Sequence, residues 1–523
     1  MQIMLAKCAK IVYNTSIITI QGGDFVRKGI ACLLALAMLL MTFAAGAESV
    51  YTMAGFDGDG ANHDWNTNLF FQRMEEKTGV HFEFQQVIEH DNWQTVKAGY
   101  ASGETAMPDV LFKAGLSTQE MQEWFAAGKI IDLRPYLQEH APNLWALLQQ
   151  HPEWEKTISL PTGEIPALPY INELQNNNAM WINQSWLNSL KLETPTTAEE
   201  LTEVLRAFKQ GDPNLNAKWD EVPLAFLSMW DLKFLGHAFG LVGNDYNVYV
   251  DENGQVQSTL TDEKNRAFLT WLNQLWEEEL LDQRGFTTAD SLRAITDEKA
   301  AMTYGIILGP TPLTVIPSNA LEQYALLMPM EYEGKQIYRD LNGDLVRGAF
   351  AISSTCANPA ELVAWVDYLY TEEGCRLAQA GLEDVEYVVH EDGTWSWTKD
   401  METVANTVLA ESTIAEGGLM PGLSSVEFQR TYDEKETARA IEALTELKKV
   451  SVEPYPQVWM TREEQARVAE LQLNIGRYAE QNMVWFVTGE KELNDESWAA
   501  FVTRLEEQGL AEMLEIFQRA IEK

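Results

Sequence analysis

VYTMAGFDGDGANHDWNTNLFFQRMEEKTGVHFEF, residues 50–84, sets the fold class. Val50 to Ala54 is a short apolar run. It stops at Gly55-Phe56-Asp57-Gly58-Asp59-Gly60, which has the composition of a loop rather than of a continuing strand. Leu69, Phe70 and Met74 then recur at helical spacing, and Gly79 stands where a helix ends. Directly after it Val80, Phe82 and Phe84 alternate with polar residues, the two-residue period of a strand.

The same rhythm continues outward. Trp93, Val96 and Tyr100 mark a helix ending near Gly103, Pro108 leads into the strand Asp109-Val110-Leu111-Phe112, and Met121, Trp124 and Phe125 mark a helix stopped by Gly128. Strands alternating with helices predict an α/β sheet with helices on both faces. Residues 161–169 are dense in breakers and read as a junction between two such lobes. Beyond them Met180-Trp181-Ile182 resumes a strand, with Trp181 between apolar neighbours as a core residue. Asn183 is placed to cap the helix of Trp186 and Leu187, and Thr197 with Glu200 fits a capping box. Later helices are expected at 268–280, 361–370, 437–448, 463–487 and 498–522.

Upstream, residues 26–47 read as a secretory signal: Arg27 and Lys28, an apolar run from Ile30 to Phe43, then Ala45-Gly46-Ala47, with cleavage expected after Ala47. A run of about 14 residues is short of the ~20 that span a bilayer. Cys32 lies at the start of that run, not at its end, so it is not placed as a lipidation cysteine. Residues 1–25 add charged and polar residues ahead of a self-sufficient signal, and Val26 is the expected translation start. The protein is expected outside the cytoplasm, extracellular or periplasmic.

Removing residues 1–47, which hold four basic residues and one acid, takes the formal net charge from −40 to −43. Such a field excludes phosphate backbones, so nucleic acid is not an expected partner. With 46% hydrophobic and 10% aromatic residues the chain is able to bury large cores, enough for two or three domains. Cys356 and Cys375 remain after processing. The helix expected between them separates them by more than a disulfide spans, so two free thiols are predicted. The seven histidines form no zinc-type pair, and GxSxG, Walker A and GxGxxG patterns are absent.

Several segments, in order, resemble the family 1 extracellular solute-binding proteins of ABC importers, in the longer branch that includes alginate-binding receptors. They are Phe71 to Val80, Met107-Pro108-Asp109-Val110, Ala127 to Leu133, Thr162 to Pro169, Trp181 to Leu187, and Thr194-Pro195-Thr196-Thr197. The resemblance implies a two-lobed periplasmic-binding-protein-like (type II) fold with three crossings between lobes. It implies a first lobe of 48–167 plus 349–384, and a second of 168–348 plus 388–523. Gly348-Ala349-Phe350-Ala351 would make the second crossing.

Asp212-Pro213-Asn214-Leu215-Asn216-Ala217-Lys218-Trp219-Asp220-Glu221 has side-chain oxygens at relative positions 1, 3, 5 and 9, and the Lys218 carbonyl at 7. This is the order of a calcium loop; an Asx-rich turn bonded to itself is the other reading. The resembling receptors carry a calcium loop here, with Gly where this chain has Leu215 and Ala217. Calcium, held by Asp212, Asn214, Asn216, Lys218, Asp220 and Glu221, is the expected cofactor.

In an α/β sheet, ligands bind beyond the carboxyl ends of strands. Trp65, Trp230 and Tyr304 are therefore candidates to stack on sugar rings. Asp57, Lys113, Glu173, Asn176 and Arg347 are candidates to bond hydroxyls or an acidic group. The expected function is that of a monomeric, non-enzymatic receptor that captures an oligosaccharide and delivers it to ABC permease subunits. A secreted glycoside hydrolase or lyase, and a sensor presenting its ligand to a membrane kinase, are the alternatives.

Overall fold

The structure is a computed structural model that describes residues 49–59, 61–174, 178–287, 304–312, 316, 318–340, 343–414, 420–432 and 435–523. The expected signal peptide and Asn176 lie outside them. Tyr51–Arg73 with Phe82–Lys523 form one compact unit, which carries the site; Met74–His81 falls outside that unit, with His81 Nδ1 2.9 Å from Glu75 Oε2.

The fold is α/β and two-lobed, built on two mixed sheets. The larger has the strand order Gly422–Ser424, Leu168–Asn172, Leu345–Ile352, Val110–Phe112, Ser49–Phe56, Val80–Val87. The smaller has the order Tyr324–Leu327, Ala179–Asn183, Tyr304–Gly309, Val222–Ala225. Each follows from its sequence. The apolar run through Met53 and Ala54 pairs in parallel with Val110 and Leu111, and all four side chains are fully buried. The first helix, Leu69–Thr78, ends at Gly79 in the left-handed region, as the sequence predicts.

The first core is aromatic. The Trp65 ring sits 5.6–5.9 Å from those of Phe71, Phe84 and Phe112, tilted or edge-on, and is 1% exposed. The second core packs Leu201, Leu205 and Phe208 of helix Ala198–Gln210 with Phe268 and Leu272 of helix Glu263–Glu277 and Ile475 and Phe486 of helix Arg462–Thr488. Trp181 is core, as expected: it is 1% exposed and donates from Nε1 to the Gly309 carbonyl at 3.0 Å.

Two segments expected in the second lobe pair within the larger sheet. Leu168–Asn172, assigned to the second lobe, is a strand of the larger sheet and runs antiparallel to Leu345–Ile352. Gly422–Ser424, within the 388–523 segment also assigned to the second lobe, pairs in parallel with Leu168–Asn172. The physical reason lies in packing that spans hundreds of residues. Trp395 stacks face to face on Phe428 at 4.4 Å, Phe428 clusters with Cys375, and the Ala410 and Thr413 carbonyls accept from Asn68 Nδ2 at 3.0 and 2.9 Å.

Candidate functional site

The strand Leu345–Ile352, inside the larger sheet, carries Arg347 two residues past the point where its pairing with Leu168–Asn172 begins. The next residue, Gly348, has φ +79°, and a Cβ there would lie 2.2 Å from the Leu116 carbonyl oxygen. Only glycine lets the strand pass so close to the loop before helix Thr118–Ala126. Arg347 therefore projects beside Thr118. Its guanidinium stacks 4.5 Å above the Trp459 ring and donates to the carbonyls of Thr157 (3.4 Å) and Val458 (3.2 Å) and to Thr118 Oγ1 (3.3 Å). Loss of solvent pulls the guanidinium down to about 10.

Arg347 forms one wall of a groove of about 770 Å³. The groove is also lined by Asn244, Asp245, Tyr246 and Arg339, the last on a short strand whose Tyr338 packs with Trp181 and Tyr304 of the smaller sheet. Arg339 donates to Asp245 Oδ1 at 2.6 Å. Burial works to raise the Asp245 carboxyl, but the hydrogen bond and charge of Arg339 outweigh it and hold it below the usual value. Trp230, on the short helix Met229–Leu232, brings its Nε1 to 3.5 Å from the same Oδ1 and is 38% exposed; Tyr246 is 37% exposed. Past Asp340, Leu345 and Glu453 the groove continues into a hollow of about 580 Å³ between Trp154, Trp459 and Lys448. Exposed aromatic rings beside guanidinium, carboxylate and amide groups suit a polyhydroxylated ligand: rings stack on C–H faces while planar polar groups bond hydroxyls.

The predicted site residues divide. Arg347 lines this groove, and Trp230 adjoins it through Asp245. Glu173 is half-buried in the turn after Leu168–Asn172. Tyr304 is 4% exposed, and its hydroxyl accepts from Arg284 at 3.2 Å. Asp57 and Lys113 come together, but buried and on each other. Lys113 Nζ lies 2.5 Å from Asp57 Oδ1 and donates to the Ile414 carbonyl at 3.0 Å, while His63 Nδ1 is 2.7 Å from Asp57 Oδ2. Burial would raise Asp57, yet His63 and Lys113 keep its carboxyl below the usual range. Asp57 and Lys113 are 0% and 1% exposed, and with His63 they tie the loop after the first strand to residues 409–414. Trp65 lies within the first core. Sequence reasoning missed Asp245, Arg339, Tyr246 and Trp459. Only Trp459 carried a signal, following the breaker-and-aromatic run Pro454-Tyr455-Pro456.

The Asp212–Glu221 loop is bonded to itself. Asp212 Oδ1 and Oδ2 accept from the backbone of Asn216 (3.0 Å) and Ala217 (3.1 Å), and Asp220 Oδ1 accepts from Asn216 Nδ2 at 2.9 Å. Leu215 and Ala217 have φ +57° and +58°. Both oxygens of Glu221 are buried without a hydrogen-bond partner, and burial, then the charges of Asp220 and Asp212, push its carboxyl up. Among the described residues no three His, Cys, Asp or Glu are clustered at metal-holding distance.

The profile of the bacterial extracellular solute-binding protein family matches residues 60–374. The fructooligosaccharide ABC transporter substrate-binding protein FusA of Streptococcus pneumoniae is 27% identical over 489 residues, 87% of each chain. A structure of FusA in complex with kestose is 25% identical, with a TM-score of 0.66, covering 90% of this chain and 98% of that one. FusA is also known as an EF-hand mutant with fructo-nystose, at 24% identity, TM-score 0.66 and the same coverage. An extracellular solute-binding protein from Bifidobacterium longum subsp. infantis, 21% identical, superimposes with a TM-score of 0.75 over 92% of this chain and 99% of its own.

Proposed function

The chain belongs to the bacterial extracellular solute-binding protein family, and from that premise we propose that it captures an oligosaccharide in the Arg347–Asp245 groove and hands it to an ABC permease. The observation that carries the reading is the groove itself: it is lined by Arg347 of the larger sheet with Thr118, and by Asp245, Tyr246 and Arg339, the last on a strand packed on the smaller sheet. A ligand touching both walls favours whichever arrangement improves both sets of contacts, and that differential affinity is what drives closure in such a receptor. The relative FusA is a fructooligosaccharide receptor, so short fructans head the panel to test. Export by the 26–47 segment, read from its basic start, apolar run and Ala45-Gly46-Ala47, completes the proposal.

Residues Asp212 to Glu221 are the proposed calcium loop. Glu221 supports it: a carboxylate with two buried, unbonded oxygens near two other acids is the charge arrangement that a hard divalent cation relieves. Asp212, Asn214, Asn216, the Lys218 carbonyl, Asp220 and Glu221 would hold it, and the ion would supply structural charge neutralisation.

The test is calorimetry of the mature protein against kestose, other fructans and unrelated oligosaccharides, with product analysis after prolonged incubation. Saturable binding of one sugar class without cleavage is expected. Shortened sugars would make the chain an enzyme, and no binding across the panel would remove the oligosaccharide reading.

A further inference from the structure

Behind the Arg339 wall of the groove lies a smaller cavity of about 40 Å³, lined by Lys233, His237, Asn247, Thr259, Asn265 and Arg339 among apolar residues. It has room for a few waters or for one group the size of a carboxylate. Its lining is rich in donors. Lys233 Nζ has three N–H groups and gives one to Asn247 Oδ1 at 2.8 Å. His237 is 2% exposed, its ring held edge-on between Phe234 and Tyr338, and its Nδ1 is buried with no hydrogen-bond partner. Arg339, 5% exposed, borders both this cavity and the groove, and one of its N–H groups holds Asp245.

The charges facing Lys233 are Arg339 on one side and Asp245 and Glu480 on the other. Burial, then Arg339, pulls Lys233 down to about 8 and His237 to about 3. Two bases are thus pressed toward neutrality beside a guanidinium, in a chain of formal charge −40. Asp245 and Glu480 counter these cations from outside the cavity; within it, the Lys233 N–H groups not given to Asn247 and the unpartnered His237 Nδ1 are left for an occupant.

We propose that this cavity is an anion pocket: Lys233 and His237 donate to a group of carboxylate size, and Arg339 is the charged wall through which the pocket communicates with the groove. Resting on the oligosaccharide reading, the source is the carboxylate of an acidic sugar whose neutral part lies in the groove. A small free anion offers the same chemistry without a sugar.

Two measurements on the mature protein decide it. The first is melting in sodium formate against sodium HEPES of equal ionic strength, HEPES being too large for the cavity. The second is calorimetry of trigalacturonate against the neutral galactose trisaccharide of the same linkage. Both use wild type, Lys233→Met and His237→Phe. Formate is expected to raise Tm in wild type and to lose that effect in both variants. The acidic trimer is expected to bind about 10-fold or more tighter than the neutral one, the worth of a charged hydrogen bond. That preference should collapse in the variants while neutral binding is unchanged. A formate effect without acid preference assigns the pocket to a free anion. Indifference of wild type to both formate and the acidic group overturns the pocket, as does a response that survives both substitutions. If neither trisaccharide binds, the choice of sugar fails, and the formate comparison alone still decides the pocket.

Discussion

Trp65 and Trp230 are equivalent in the sequence, each a tryptophan in a polar loop, and the structure gives them opposite environments. Trp230 is 38% exposed beside Asp245 of the groove, while Trp65 is 1% exposed among three phenylalanines. Trp230→Ala is therefore expected to weaken the best oligosaccharide by roughly 5- to 150-fold, the loss of ~1–3 kcal/mol of apolar contact, with little change in Tm. Trp65→Ala is expected to cost about 3–5 kcal/mol of folding stability. Calorimetry and denaturant titration of the two variants separate these outcomes, and a reversed pattern would move the binding surface to the Trp65 side. Farther along the groove, Glu453 keeps one side to solvent while partial burial, then the charges of Asp340 and Asp344, push its carboxyl from 4.5 up to about 7, against the pull of Lys448. A carboxyl raised in the folded state binds its proton more tightly there than when unfolded. Its stabilising contribution is thus complete below about pH 4.5 and lost as pH rises through about 7. Glu453→Gln should flatten the Tm profile across that window relative to wild type. Parallel profiles would show that Glu453 titrates normally.

At the scale of elements, local chemistry was legible wherever it is local. Asn183 caps its helix as expected, accepting from the Trp186 N–H at 3.1 Å. Thr197 accepts from the Glu200 N–H at 3.2 Å, but the Glu200 carboxylate reaches back one residue too far, to Thr196 N and Oγ1 at 2.8 and 2.9 Å, so the capping box is half made. The single helix expected over 498–522 is two, Asp495–Glu507 and Leu510–Ile521, broken at Gly509 with φ +96°. Apolar periodicity runs on through the break, and the glycine was the signal to weigh. Helices Arg134–His140, Pro142–Gln150 and Pro152–Ile158 were missed, although each begins with proline in its first two positions. The Asp212–Glu221 loop adds a prediction of its own. Leu215 and Ala217 hold left-handed backbone that costs non-glycine residues roughly 1–2 kcal/mol each, and the two carboxylate oxygens of the half-buried Glu221 lack a hydrogen-bond partner. Millimolar calcium should raise Tm, EDTA should lower it, and Glu221→Gln should remove most of the difference, because only the folded loop binds the ion. Identical melting in calcium and EDTA would leave the segment as a self-bonded turn.

At the scale of the molecule, the α/β class and the order of the early strands were written in alternation and glycine stops, whereas the pairing of Gly422–Ser424 with Leu168–Asn172 was not. Nothing in Trp395 or Ile414 announces that one stacks on Phe428 and the other accepts from Lys113; such contacts exist only once the chain has closed on itself. The groove was half legible for the same reason: Arg347 sits in a readable strand, while Asp245 and Arg339 meet across 94 residues. Charge is a molecular property that sequence does give. With 78 acidic against 38 basic residues, most ion pairs consume the few cations and leave an excess of carboxylates on the surface. Their mutual repulsion opposes compaction at neutral pH. Raising sodium chloride from about 10 to about 150 mM shortens the screening length from about 30 to about 8 Å, so Tm at pH 7, with EDTA present to remove divalent ions, should rise. The rise should fade as pH approaches the sequence pI of 4.5, where the net charge that salt screens disappears. A salt response that is flat at pH 7, or that persists undiminished near pH 4.5, would mean that close ion pairs rather than net repulsion set the electrostatic balance of the fold.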